Sequence, residues 1–137
     1  MKAHHPLTDS EFEHQFAAGT LDPSLFNHKA HVRLAWIHVS RYGVERAIEN
    51  ICAQIRSFAE AHGDKDKFNV TVTIAAVRAV DHFMRRSETT DFESLISEHP
   101  RLIHSFKELL SYHYTTDIFR SATAKKAYLE PELLPFD

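Results

Sequence analysis

A chain of 137 residues with 43% hydrophobic content has the length of one domain and enough apolar mass for a packed core, which excludes a disordered chain. Three Gly and five Pro exclude collagen-like and low-complexity architectures and leave no Gly-rich phosphate loop. Sixteen Lys and Arg against nineteen Asp and Glu give a net charge of −3, with no basic stripe of the kind nucleic acids select.

Taken in chain order, the elements read as helices. Thr8-Asp9-Ser10-Glu11 is a capping box, in which Thr8 accepts from the Glu11 amide and Glu11 reaches back. It starts a short helix with Phe12 and Phe16 on one face, and Gly19 ends it. Leu21-Asp22-Pro23-Ser24 predicts a turn. A second helix runs from a cap at about Asn27 to Arg41, and a third from Val44 to Ala61 with Gly63 as its stop. Val44, Ile48, Ile51, Ile55, Phe58 and Ala59 line one side of the third at helical spacing. Residues 64–67, all charged, form a solvated loop.

The run from Phe68 to Ile74 alternates apolar and polar residues like a strand. A lone strand would lack a partner, so Asn69 to Arg86 is expected as one helix. Asp91 caps a short helix through Leu95 and Ile96. Pro100 opens another, with Leu102, Phe106, Leu109, Leu110 and His113 on its apolar side. A weak helix covers Ser121 to Tyr128, and the tail is extended and packed by its apolar residues. The expected fold is therefore all-α, one irregular helical bundle of five to seven helices over residues 1–137.

Polar residues on apolar faces mark the candidate site. On the second helix His28 falls among Val32, Ala35 and Val39, His31 borders that stripe, and Arg33 points away. His62 shares the apolar side of the third helix. Asn69 and Thr73 fall in the stripe of the fourth helix, whereas Thr71 and His82 point outward. His113 closes the stripe of the later helix. Up-and-down folding with short loops gathers His28, His31, His62, Asn69, Thr73 and His113 at one bundle end. Buried polar groups need partners, so such a gathering is a structural network, a ligand pocket or both. Trp36 packs with Val32 and Val39 as core and counts among the ligand contacts. His31 is expected close to Asn69 or Thr73.

Other chemistry is weaker. His28-x-x-His31 could hold a metal between two imidazoles with His62 or His113 completing the set, but eleven His make chance pairs common, and no metal is expected. Cys52 is the lone cysteine, so no disulfide forms within the chain, and it reads as a core thiol. No signal peptide or membrane span is expected, which implies a cytoplasmic protein.

The segment Phe26-Asn27-His28-Lys29-Ala30-His31-Val32-Arg33-Leu34-Ala35-Trp36 resembles the F-x-H-x-x-H-[LV]-R-[LV]-A-W motif of a family of small, uncharacterised bacterial proteins. That family's second motif is [YF]-H-x-T-x-T. Here Phe68-Asn69-Val70-Thr71-Val72-Thr73 stands in its place, with Asn69 where the family has His. Ala127-Tyr128-Leu129-Glu130-Pro131-Glu132-Leu133 resembles its W-x-x-P-[DE]-L ending. The resemblance implies that His28, His31, Asn69, Thr71 and Thr73 occupy the family's polar positions, and it implies no reaction. Asn69 cannot serve as an acid or base near neutral pH and is a poor transition-metal ligand.

Three functions follow as expectations. The first is an enzyme acting on a small polar or carbonyl metabolite, with His31 or His28 as general acid/base and Asn69, Thr73, His62, His113 and Trp36 contacting the substrate. The second is a non-catalytic small-ligand binding or regulatory protein on the same pocket, with no nucleic-acid or membrane partner. The third is a divalent-metal protein. The residues name no cofactor.

Overall fold

A computed structural model describes residues 6–63 and 68–136. The loop expected at 64–67 lies outside the described residues. Among these, the backbone forms eight α-helices and one 3-10 turn and no strand. The protein is all-α. The chain divides into two compact units, Met1–Phe68 and Asn69–Asp137.

The N-terminal unit carries α1 (Asp9–Ala18), α2 (His28–Tyr42) and α3 (Val44–Ala61). Both halves of the Thr8/Glu11 capping box form. Pro23–Leu25 is a 3-10 turn whose Asp22 side chain accepts from the Ser24 amide. Asn27 caps α2 by accepting from the Ala30 amide at 2.8 Å. Gly43 sits between α2 and α3 at φ 83°, ψ 164°, backbone that a residue with a Cβ rarely adopts. Phe12, Phe16, Ala47, Ile51, Ile55 and Phe58 supply the buried faces of α1 and α3.

Helix α2 packs against both α1 and α3. It is therefore buried on more than one face, and the single apolar stripe expected of it is too simple. Arg33 is 7% exposed rather than outward. Its guanidinium donates to Asp9 Oδ1 at 2.9 Å and to the Leu7 carbonyl at 2.7 Å, and lies 4.9 Å from the Phe12 ring centre.

The C-terminal unit begins with α4 (Val70–Arg85), followed by α5 (Phe92–Glu98), α6 (Arg101–His104), α7 (Phe106–Ser111) and α8 (Ala122–Lys126). The alternating run before Ile74 is helical. Thr71, Thr73, Ala75, Ala76, Val77, Ala79 and Val80 are all buried, so the alternation reflects a helix covered around most of its girth, not a pleated surface. Asp91 caps α5 as expected. The single helix expected after Pro100 breaks at Ser105 (φ −140°, ψ 38°). Leu102 is buried before the break, and Phe106, Leu109 and Leu110 after it.

The core of this unit joins Ala75 and Ala76 of α4 to Phe106, Leu110, Tyr114, Ile118 and Ala124, with Val72, Phe119, Leu129 and Phe136 packed against it. Beyond α8 the chain is irregular. Leu129 and Phe136 pack as expected of the tail, whereas Leu133 and Leu134 are exposed.

Candidate functional site

In the N-terminal unit three phenylalanines form an aromatic cluster. Phe16 stacks on Phe26 at 4.6 Å and on Phe58 at 4.8 Å. His31 lies 5.7 Å from Phe26, and His62 lies 4.5 Å from Phe58. The unit therefore places the His31 and His62 rings against one aromatic group. His28 is exposed rather than among the apolar side chains. It occupies the first position of α2, where the helix begins, and angle on a wheel says nothing of how far a residue stands from its neighbours. His62 is exposed for a related reason: it is the C-cap of α3. Trp36 is half-buried.

His31 is the most unusual of these. Its Nε2 is buried and has no hydrogen-bond partner among the described residues. Loss of hydration, with repulsion from His28, pushes its pKa down to about 4. Burial disfavours the charged imidazolium, so His31 is neutral at physiological pH.

A second polar group in this unit escaped sequence reasoning. Glu13 accepts from Arg41 Nη1 and from the Tyr42 hydroxyl, each at 2.5 Å. His38 is 1% exposed, with its ring 5.3 Å from Tyr42 and Nδ1 3.5 Å from Asn50 Nδ2. Burial holds its pKa below the ordinary histidine value. No spacing rule links Glu13 on α1 to Arg41 and Tyr42 at the end of α2.

The C-terminal unit uses its polar motif to hold the chain. Asn69 is the N-cap of α4, not a residue of its inward stripe. Its Oδ1 accepts from the Val72 amide at 2.9 Å, and its Nδ2 donates to the Ile118 carbonyl at 2.8 Å. Thr71, expected to point outward, is 0% exposed. Its hydroxyl donates to the Ala127 carbonyl at 2.9 Å and accepts from the Leu129 amide at 3.0 Å. Helix α8 packs on α4, and the chain leaving α8 covers the face assigned to solvent. Thr73 is buried.

The tail continues this pattern. Tyr114 donates to the Leu129 carbonyl at 2.8 Å. One oxygen of Glu132 accepts from the Thr115 and Thr116 amides at 2.5 Å and 3.2 Å, which holds its carboxyl below the usual range. His113, expected to close an apolar stripe, is half-buried beyond the end of α7. Its Nδ1 lies 2.7 Å from the Leu134 carbonyl, and its ring stacks on Phe136 at 4.0 Å.

Between α7 and the irregular residues 114–120 that follow it, the C-terminal unit opens a cleft of about 330 Å3. Leu110, Tyr114, Ile118 and Phe119 give it an apolar lining, and Lys107, Ser111, Thr115, Thr116, Asp117 and Arg120 give it polar groups. The Lys107 ammonium stands 5.1 Å from the centre of the Phe119 ring. Sequence reasoning missed this cleft because most of its wall is irregular backbone, which has no period to read.

Among the described residues no three His, Cys, Asp or Glu side chains gather around a common point suited to a metal ion. Burial raises the Cys52 thiol pKa, as for a core thiol. No helix among the described residues is long and apolar enough to cross a membrane. Comparison with protein-family models, curated proteins and solved structures finds no match.

Proposed function

We propose that this chain is a cytoplasmic small-ligand binding protein whose site is the cleft between α7 and the irregular residues 114–120. The observation that carries the reading is the cleft itself, about 330 Å3, in which the Phe119 ring stands among six polar side chains: Lys107, Ser111, Thr115, Thr116, Asp117 and Arg120. That volume lies at the lower end of the range for small-molecule sites. Non-catalytic binding is preferred to turnover because the Asp117 carboxylate in the lining already accepts from the Phe119 amide and faces Arg120. Tyr114 is committed to the Leu129 carbonyl, and burial drives its pKa upward.

Thermal-shift screening with a metabolite collection tests the reading. Ligands that bind the folded state raise Tm. Thr116→Trp, at an exposed position on the rim, fills the cleft and should abolish each shift seen with the unmodified chain. No shift with any compound, or shifts unchanged in Thr116→Trp, would contradict cleft binding.

A second reading keeps His31 at the centre of an enzyme. It is favoured by the buried Nε2 that lacks a protein partner, as in a group that awaits a substrate. With a pKa of about 4, His31 would act as a neutral hydrogen-bonding group above about pH 5 rather than as an imidazolium acid. Loss of turnover in His31→Gln, with folding retained, would support it. The motif resemblance is compatible with either reading.

A further inference from the structure

We infer that the ligand of the cleft is a small organic anion, with an apolar body and a single carboxylate or phosphate head held by Lys107. The inference rests on the proposed cleft binding and adds the chemical class.

The charged groups at the cleft are not equivalent. Asp117 accepts from the Phe119 amide at 3.1 Å through Oδ1, and its Oδ2 lies 3.8 Å from Arg120 Nε. Glu132, exposed, accepts from the Thr115 and Thr116 amides. Both carboxylates are thus occupied by the chain. Lys107 has no carboxylate partner among the described residues and rests over the Phe119 ring. Its ammonium sits beside the Phe119 ring, at a wall whose other apolar members, Leu110, Tyr114 and Ile118, are almost wholly buried.

A ligand that matches both features lays an apolar body against the Phe119 ring and turns an anionic group toward the ammonium. A neutral ligand would leave the ammonium without a counter-charge. A cationic one would meet the Lys107 ammonium, whereas Asp117 already faces Arg120. A hydrogen bond to a charged group contributes more than a neutral one, so the head group decides the class. Glu132 keeps the Thr115–Thr116 corner in place, a positioning role.

Benzoate, phenyl phosphate, benzamide and benzylamine share one ring and differ in charge. Titration calorimetry of the full chain should give benzoate or phenyl phosphate a Kd roughly tenfold below that of benzamide, with benzylamine weakest. Whichever anion binds tighter separates a carboxylate from a phosphate head. Lys107→Met, at an exposed position, should remove the preference for the anions, and Lys107→Arg should retain it. Circular dichroism checks that both variants fold. Benzamide binding as tightly as both anions would overturn the anion assignment and leave cleft binding standing. An anion preference that survives in Lys107→Met would overturn the role of Lys107. Failure of all four probes to bind would overturn the assignment together with the cleft reading.

Discussion

The two units hold themselves together by different means. In the N-terminal unit, helices of 10, 15 and 18 residues bury whole faces against one another, and most polar ties lie near the ends. In the C-terminal unit only α4 is long. The short helices are tied by side chains that reach backbone groups far along the sequence, as Asn69 does with Ile118 and Thr71 with Ala127 and Leu129. Short helices cannot stand by propensity, so specific polar ties replace extended apolar faces. Such ties leave irregular backbone at the surface, and the cleft is built from that backbone.

Truncating the cores gives the largest effects. Phe106→Ala should cost about 3–5 kcal/mol and Ile51→Ala about 2–5 kcal/mol, measured by denaturant unfolding. A loss below about 0.5 kcal/mol at either would place that side chain outside a working core.

Removing the polar ties should separate the units. Thr71→Val keeps the shape but removes both bonds of the buried hydroxyl, to the Ala127 carbonyl and from the Leu129 amide, for a loss of about 1–3 kcal/mol. Hydrogen exchange should show the loss in residues 69–136. Tyr42→Phe removes an exposed tie to Glu13 in the N-terminal unit and should change stability by less than about 0.5 kcal/mol. Equal effects would erase the contrast.

Acid should act through His31. Its folded pKa, about 4, lies below the ordinary 6.5, so the unfolded chain takes up the proton first. The stability contributed is complete above about pH 6.5 and is lost as pH falls toward 4. Between pH 6.5 and 5 the loss is about 2 kcal/mol. His31→Gln should flatten that part of the stability curve, and a curve of unchanged slope would show that His31 is hydrated in the folded chain.

Asn69→Ala should cost about 0.5–2 kcal/mol for a lost cap. Asn69→Asp restores the cap but not the bond to the Ile118 carbonyl, so unfolding of both variants apportions the two bonds. Full recovery in Asn69→Asp would remove Asn69 from the set of long-range ties.

Local signals were the legible part of the fold. Thr8, Asn27, Asp91 and Ser121 cap the helices that they head, because a cap needs only residues three positions apart. Apolar stripes located α3 well, since one face of that helix carries nearly all its buried residues. They misjudged Arg33 and Thr71, because α2 and α4 are covered on several sides and a single stripe cannot describe them. His28 and His62 failed for being at helix ends. The break at Ser105 follows no local pattern, and the Thr115–Thr116 corner of the cleft depends on Glu132, which lies 17 residues from Thr115. The polar motif of Asn69 and Thr71 was visible in sequence, but its bonds to Ile118, Ala127 and Leu129 were not.

Titration of the isotope-labelled chain with benzoate, followed by the amide resonance of each residue, tests cleft binding most directly. Shifts confined to Lys107, Leu110, Ser111 and the Tyr114–Arg120 segment, absent in Thr116→Trp, are the predicted result. Shifts centred on His31, Phe26, Phe58 and His62 with none in the Tyr114–Arg120 segment would contradict it and move the site to the aromatic cluster.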